Sequence, residues 1–183
     1  MTVHSFAASL NESQRHADAP WWEQAYRAAF PDLEACVSVR SDGWAQRGGI
    51  DRKLVLASGR HVTIDEKVRT VDRQDFALEY WSDHARRVPG WVAKDLACDY
   101  IAYAFVPSGR CYLLPFHELR RAWRANRREW VRAYRDPKRH IAHNRENGRG
   151  WETHFVPVPI PVVMEALADA MLVHFDPLAG VVA

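Results

Sequence analysis

The sequence predicts an α+β or mixed α/β fold, in which a central, mostly antiparallel sheet of about five strands is flanked by helices. Helical periodicity marks residues 20–30, 117–134 and 161–175. Between the first two, short runs of β-branched and aromatic residues alternate with turns that contain Gly or Pro. The chain has 183 residues, 48% of them hydrophobic, which suffices for one core. We therefore expect a single domain over residues 20–183 after a flexible segment over residues 1–19.

Composition and charge exclude several classes of protein. The first residues lack the apolar segment of a signal peptide, and no stretch approaches the roughly 18 apolar residues of a membrane span. Cys36, Cys98 and Cys111 show no CxxC spacing, which argues against a cysteine zinc site or a disulfide framework. The motifs of P-loop NTPases, HExxH proteases and GxSxG hydrolases are absent. The formal net charge is only +2. We expect a cytoplasmic protein with no membrane partner.

The first part of the chain predicts one helix and three strands. Residues 20–30, PWWEQAYRAAF, carry apolar side chains at helical spacing with Pro at the start. The segment GGIDRKLVLASGRHVTIDEKVRT predicts a β-hairpin with strands over residues 50–57 and 60–69. A third strand fits FALEYW at residues 76–81, and residues 83–94 leave room only for a short helix.

The second part of the chain predicts a further hairpin and two more helices. DYIAYAFV at residues 99–106 and RCYLLPF at residues 110–116 form strands joined by a Pro-Ser-Gly turn. Residues 117–134 carry one apolar stripe at helical spacing. Residues 139–160 are interpreted as loop and linker: a polar loop over residues 139–153, followed by VPVPIP at residues 156–161 as an extended strand or linker. Residues 161–175 are interpreted as a closing helix.

Acidic side chains stand at the open end of the first hairpin. Strand periodicity places Asp65 and Lys67 on one face of their strand and Glu66 on the other. A three-residue loop over residues 58–60 places Asp51 opposite Lys67 and diagonal to Asp65. A two-residue turn instead pairs Asp51 with Glu66. The length of the loop therefore decides which carboxylates converge.

Two carboxylates that converge within a few ångströms destabilise a fold but suit the binding of a cation. Hard divalent ions such as Mg²⁺ take oxygen ligands, commonly one or two protein carboxylates, and leave positions for water and phosphate oxygens. The ion lowers the pKa of a bound water, while a lysine can orient that water or neutralise the developing anion. Asp51, Asp65 and Lys67 are thus candidate catalytic residues for phosphodiester hydrolysis. The alternative is a solvated hairpin end with an ion pair worth at most about 1 kcal/mol.

The motif made by these residues resembles that of a nuclease superfamily. The segment GID at residues 49–51, a hairpin, and the segment IDEK at residues 64–67 are similar to the PD-(D/E)XK signature. Asp51 matches its first acid, Asp65 its (D/E) position and Lys67 its lysine. Ile stands in place of the motif's Pro, and Glu is its X residue.

The resemblance implies a restriction endonuclease-like core over roughly residues 20–135, made of a helix, three mostly antiparallel strands that carry the acids, a helix and a further strand. It also implies Mg²⁺ or Mn²⁺ as cofactor, with Asp51 and Asp65 as metal ligands. Members often carry another acid on the first helix, which Glu23 matches, and some carry one beyond the lysine, for which Glu79 is a candidate. The irregular stretch after FALEYW departs from the family, which has a helix there.

The predicted helix over residues 117–134 has a strongly basic face. Its candidates for contact with nucleic-acid phosphates are Arg120, Arg121, Arg124, Arg127, Arg128 and Arg132. Such a face gives salt-dependent, sequence-independent affinity for DNA. The alternative is a solvated helix face without a partner. His140 and His143 lack the ββα-metal context of an HNH nuclease, and we interpret them as loop residues.

The sequence therefore predicts a Mg²⁺-dependent nuclease that hydrolyses phosphodiester bonds in DNA by metal-activated water. The superfamily also includes enzymes that act on RNA or branched DNA, in repair, recombination, restriction or phage biology, and many members are homodimers. The alternative function is a catalytically inactive module that keeps the fold and binds nucleic acid or a protein partner. A metal that binds only the folded state raises the melting temperature, which distinguishes the two.

Overall fold

The computed structural model describes residues 4–5, 16–146 and 148–178, so most of the predicted flexible segment over residues 1–19 lies outside the described residues. In chain order the strands are β1 (His4–Ser5), β2 (Leu33–Ser38), β3 (Arg52–Leu56), β4 (His61–Arg69), β5 (Asp75–Asp83), β6 (Val88–Pro89), β7 (Tyr100–Phe105), β8 (Arg110–Pro115), β9 (Ile141–Glu146), β10 (Arg149–Pro159) and β11 (Met171–His174). The helices are α1 (Trp21–Ala29), α2 (Gly43–Gly48), α3 (Phe116–Tyr134) and α4 (Ile160–Glu165). Within the described ranges, no helix combines the length and apolar character that crossing a membrane requires.

The strands form two sheets, one in each of two compact units. The six-stranded unit consists of His16–Arg73, Asp95–His117 and Ala168–Ala183, and the five-stranded unit of Met1–Arg15, Gln74–Lys94 and Glu118–Leu167. The predicted α+β class is confirmed, and most strand pairs are antiparallel. The expectation of one sheet of about five strands was wrong, whereas the single domain over residues 20–183 stays a prediction.

The six-stranded unit carries the acidic hairpin. Its strand order is β11-β8-β7-β4-β3-β2, in which β2, β3 and β4 form an antiparallel meander and β7 runs parallel to β4. The strand β2 was not predicted, although LEACVS combines apolar and β-branched residues in a short run. The hairpins over β3–β4 and β7–β8 are confirmed.

Helix α1 covers one face of this sheet. The side chains of Trp22 and Tyr26, one helical turn apart, are fully buried. They belong to one hydrophobic cluster with Leu54 of β3, Ile64 of β4 and Leu113 of β8. Burial alternates along β3, as a period of two requires for a strand with one face on a core. The strand residues between these therefore project to the opposite face of the sheet.

The connection between β4 and β7 passes through the five-stranded unit. The predicted third strand over residues 76–81 is confirmed as β5, but it pairs with β10 and β6. The predicted short helix over residues 83–94 was wrong, because this segment holds β6 and turns. At Gly90 an added Cβ would lie 2.4 Å from the carbonyl oxygen of Glu79, so only glycine allows this approach of two backbone segments.

The five-stranded unit has the strand order β1-β9-β10-β5-β6. Helix α3 confirms the predicted apolar stripe, since Leu119, Trp123 and Trp130 are buried. The predicted polar loop over residues 139–153 was wrong, because this segment belongs to the antiparallel pair β9–β10. The extended strand allowed for VPVPIP is confirmed as far as Pro159, where β10 ends. A turn that contains Gly148, at φ +79°, lies between the two strands, and burial then alternates along β10.

The predicted closing helix over residues 161–175 is mostly absent. Helix α4 ends at Glu165, and residues 171–174 form β11, which pairs antiparallel with β8. Exposure alternates from residue to residue along β11, with Met171 and Val173 packed against the core cluster of the six-stranded unit. Side-chain burial in this segment therefore repeats every two residues, as in a half-buried strand, and not at the helical spacing that the sequence predicted.

Candidate active site in the six-stranded unit

Asp51 and Asp65 lie side by side on neighbouring strands. Because Arg52 pairs with Ile64 across β3 and β4, Asp51 and Asp65 are the next residues outward on the two chains. The backbone N–H of Asp51 donates to the carbonyl oxygen of Ile64 at 2.8 Å. The two carboxyl groups are close enough for Asp51 to raise the pKa of Asp65. The two predicted acids therefore share one face of the sheet.

The loop of the hairpin explains this proximity. The loop has three residues, 57–59, and so begins one residue earlier than the three-residue loop considered from the sequence. The N–H of Leu56 donates to the carbonyl oxygen of Arg60 at 2.9 Å and closes the loop. Gly59 has φ +79°, a left-handed conformation that glycine adopts without a steric penalty. Asp51 therefore stands opposite Asp65, and neither of the two pairings considered from the sequence, with Lys67 or with Glu66, is formed. The odd number of loop residues nevertheless keeps Asp51 on the face of Asp65, as the three-residue alternative required.

Lys67 lies beside the carboxylate pair. Its ammonium Nζ is 2.6 Å from Oδ1 of Asp65, and the Asp65 residue is only 5% exposed. Burial and the neighbouring Asp51 raise the pKa of Asp65 from 3.8 to about 6, although Lys67 acts in the opposite direction. The lysine thus compensates the negative charge at this position only in part. A carboxyl group held in this way is more stable when it is protonated or when it binds an additional cation.

Two further groups orient Asp51. The guanidinium of Arg40 approaches Oδ1 of Asp51 at 3.1 Å, and the backbone N–H of Glu66 donates to Oδ2 at 2.8 Å. Arg40 also binds Oε2 of Glu66 at 2.7 Å. The sequence analysis did not identify Arg40, which follows β2 and has no motif around it.

Glu66 is the centre of a buried polar cluster on the face that packs against α1. Its side chain is inaccessible to solvent and accepts hydrogen bonds from Tyr26 Oη at 2.6 Å and Arg52 Nε at 2.9 Å. The guanidinium of Arg52 also donates to the carbonyl oxygen of Ala17. Burial, followed by the charge of Glu66, raises the pKa of Tyr26 well above its ordinary value, so Tyr26 remains a hydrogen-bond donor. Glu66 therefore supports the fold, as its place on the opposite face predicts.

Cys98 is close enough to the site to interact electrostatically with Asp65 and Lys67. Burial is the main cause that raises the pKa of its thiol to about 12, and the charge of Asp65 adds to the effect. The thiolate, which is the nucleophilic form of cysteine, is therefore scarce at neutral pH. Nucleophilic catalysis by this cysteine is not supported.

The two other acids suggested as metal ligands lie elsewhere. Glu23 is on the exposed side of α1, where its carboxylate binds Arg27 at 2.7 Å and both side chains are 53% exposed. Glu79 belongs to β5 in the five-stranded unit, where it pairs with Phe155 of β10. The structure brings Asp51, Asp65 and Lys67 together and does not add Glu23 to them.

The basic residues of α3 form an exposed surface in the five-stranded unit. At about 100° per residue, the six predicted arginines lie within an arc of about 140° around the helix. Arg120 is half-buried, and the other five are exposed: Arg121, Arg124, Arg127, Arg128 and Arg132. Arg127, Arg128 and Arg132 line a cavity of about 440 Å³ together with Tyr80 and Val131. The guanidinium of Arg127 also lies 5.7 Å from the centre of the Tyr80 ring, a cation–π distance.

Comparisons with protein-family models, curated proteins and solved structures find no match to this chain. The interpretation of the site therefore depends on its own geometry and chemistry.

Proposed function

We propose that the chain is a metal-dependent nuclease of the PD-(D/E)XK type, which hydrolyses phosphodiester bonds in DNA. The observation that carries this proposal is the placement of Asp51 and Asp65 side by side on neighbouring strands, with the Lys67 ammonium 2.6 Å from Asp65. Two like charges in a largely buried position destabilise the folded state. A cation bound between the two carboxylates would offset this repulsion.

The arrangement of the surrounding elements supports the resemblance in part. A helix, α1, is followed by the antiparallel strands β2, β3 and β4, and the acids stand at the start of β3 and on β4. A further strand, β7, then runs parallel to β4. Between β4 and β7 the superfamily has a helix, whereas this chain has β5 and β6. The agreement therefore extends over the half of the core that holds the catalytic residues.

The donor atoms suit Mg²⁺ or Mn²⁺. Asp51 and Asp65 offer carboxylate oxygens, which are the ligands that hard divalent ions prefer, and both would hold the ion. Oδ1 of Asp65 binds Lys67, and the two oxygens of Asp51 accept from Arg40 and the Glu66 N–H. A carboxylate oxygen has two lone pairs, so these oxygens can also bind an ion. When bound, such an ion lowers the pKa of a water molecule and offsets negative charge on the phosphate.

The side chains of the site have distinct roles in this proposal. The Glu66 backbone N–H and Arg40 hold the Asp51 carboxylate in a fixed orientation. The Lys67 ammonium, 2.6 Å from Asp65, supplies a cation for a phosphate oxygen or a hydrogen bond for the attacking water. The arginines of α3 would bind backbone phosphates at positions away from the reaction, which gives affinity without sequence preference.

A second function is a catalytically inactive module that binds nucleic acid. It is favoured by the observation that Lys67 and Arg40 already form ion pairs with Asp65 and Asp51, which offset part of the negative charge without a cation. Such a module would bind DNA through α3 with strong salt dependence. Mn²⁺ would leave its melting temperature unchanged.

The proposal is tested by incubating purified protein with Mg²⁺ or Mn²⁺ and plasmid, linear and branched DNA. We expect nicking or cleavage that is lost in Asp65→Ala and Lys67→Ala. Asp32→Ala and Lys94→Ala serve as matched controls, since both residues are exposed and remote in sequence from the motif, and they should retain activity. Folded wild-type protein that leaves all three DNA substrates intact would refute the nuclease. Salt-sensitive DNA binding without cleavage would support the inactive module.

A further inference from the structure

A second group of candidate ligands lies in the five-stranded unit, far along the sequence from the acidic motif. His84, Glu152 and His154 each offer a ligating atom, and these three atoms lie within 4.8 Å of one another. Glu152 and His154 are two positions apart on β10 and therefore share a face of the sheet. The backbone N–H of His84 donates to the carbonyl oxygen of Glu152 at 2.9 Å. The backbone thus holds the three residues in one place.

A fourth donor stands next to this group. His143 on β9 is the direct cross-strand partner of Glu152, and its Nδ1 is 3.6 Å from a carboxylate oxygen of Glu152. His143 is near Glu152 but outside the group of three whose ligating atoms lie within 4.8 Å of one another, so its side chain would have to rotate toward them to become a fourth ligand. Histidine nitrogens with one carboxylate are a ligand set that zinc and neighbouring transition metals prefer, whereas Mg²⁺ prefers oxygen ligands alone.

The rings of two of these histidines lie against each other. His84 and His154 are stacked, with centroids 4.0 Å apart and an interplanar angle of 14°. His154 is buried, whereas His84 is exposed. The close packing of the two rings therefore keeps their nitrogen atoms in one small region of the surface.

Arg135 competes with a metal at His154. One nitrogen of its guanidinium lies 3.3 Å from Nδ1 of His154, and Nε2 of the same ring lies 3.3 Å from Glu152. Arginine can only donate, so Nδ1 accepts and Nε2 carries the proton. A metal at Nε2 requires that this proton move to Nδ1 and that Arg135 leave that nitrogen. Both contacts are longer than the usual 2.9 Å or so, and hence weak.

We infer that His84, Glu152 and His154, with His143 as the fourth ligand, form a binding site for a zinc-class transition-metal ion. Donor atoms around tetrahedral zinc are separated by about 3.3 Å, given bonds of about 2.0 Å. The present separation of up to 4.8 Å must therefore shrink by about 1.5 Å. His84 is exposed and Glu152 and His143 are half-exposed, so their side chains can rotate. The bound ion would join the turn after β5 to β9 and β10, independently of the proposed nuclease.

The site is tested on the full-length protein after treatment with a chelator, with Co²⁺ as the spectroscopic probe and Zn²⁺ as the competitor. We expect one equivalent of Co²⁺ to give the intense visible absorption of tetrahedral coordination, and Zn²⁺ to displace it. His84→Gln and Glu152→Gln should reduce the affinity at least 10-fold, whereas the exposed His174→Gln should not change it.

Two further variants make the test specific. Arg135→Met should raise the affinity several-fold, because it removes a competing donor and a nearby positive charge. Asp65→Asn should give the same tetrahedral Co²⁺ spectrum as the wild type, which separates this site from the acidic motif. Absence of the tetrahedral spectrum in the wild type would overturn the inference, as would equal affinity of the His84→Gln and wild-type proteins.

Discussion

Replacement of Asp65 by Asn should stabilise the protein at neutral pH while it abolishes nuclease activity. The folded state raises the pKa of Asp65 from 3.8 to about 6, so ionisation of this carboxyl is harder in the fold than in the unfolded chain. The stabilisation due to the protonated form is complete below about pH 3.8 and is lost as pH rises through about 6. The difference of about two units corresponds to about 3 kcal/mol, at roughly 1.4 kcal/mol per unit. Asn resembles the protonated carboxyl in shape and cannot ionise.

Urea denaturation of the wild type and Asp65→Asn between pH 4 and pH 8 measures this effect. Near pH 4 the free energies of unfolding should be similar, whereas above pH 7 the variant should be more stable by up to about 3 kcal/mol. The exposed Asp32→Asn is the matched control and should follow the wild type at every pH. A difference that does not change with pH, or a variant that is less stable at pH 8, would refute the reasoning about the buried carboxyl pair.

Three other predictions concern the supporting residues. Glu66→Gln should lower the free energy of unfolding by about 3–5 kcal/mol in urea denaturation, because it leaves the guanidinium of Arg52 buried without its counter-ion; a loss below 1 kcal/mol would contradict this. Tyr26→Phe should cost about 1–3 kcal/mol in the same measurement through loss of the 2.6 Å hydrogen bond to Glu66, and no loss would show that this bond is replaceable. The double variant Arg124→Glu and Arg128→Glu should weaken DNA binding at least 10-fold in fluorescence anisotropy and reduce the salt slope by about 2, whereas an unchanged slope would remove α3 from the interface.

Local patterns in the sequence were sufficient for the elements whose own periodicity is strong. Helix α1, helix α3 and the β3–β4 hairpin each bury one regular stripe of apolar side chains, so the period alone defines them. Most of the pair β9–β10 was missed because β9 ends and β10 begins with polar residues, and because the two strands are defined by pairing with each other and with β5. The Asn-Gly dipeptide at residues 147–148 was an available signal for a hairpin at this position.

The candidate site was predictable in its residue types and only partly in its geometry. Strand parity put Asp65 and Lys67 on one face and Glu66 on the other, which the structure confirms. The residue opposite Asp51 depends on the position of the hairpin loop. The loop ends at Gly59, one residue earlier than a loop over residues 58–60, and this shift places Asp65 opposite Asp51. The alternation of residues along β4 could also have predicted that Glu66 is buried, because it follows the inward-facing residues of the strand. A buried carboxylate requires a polar or charged partner.

The partners that complete these sites come from distant parts of the chain, which no local pattern identifies. Arg40 reaches Asp51 and Glu66 only because β2 lies beside β3. His84 reaches Glu152 only because β10 pairs with β5. Such contacts follow from sheet order, and sheet order is set by the packing of the whole unit.

A crystal of the protein soaked in Mn²⁺ and measured for its anomalous scattering tests the central claim most directly. The proposed site predicts a peak within coordination distance, about 2.1–2.2 Å, of carboxylate oxygens from both Asp51 and Asp65. The outcome that would contradict it is a map in which, at saturating Mn²⁺, Asp51 and Asp65 remain bound only to Arg40 and Lys67 and no ion joins them.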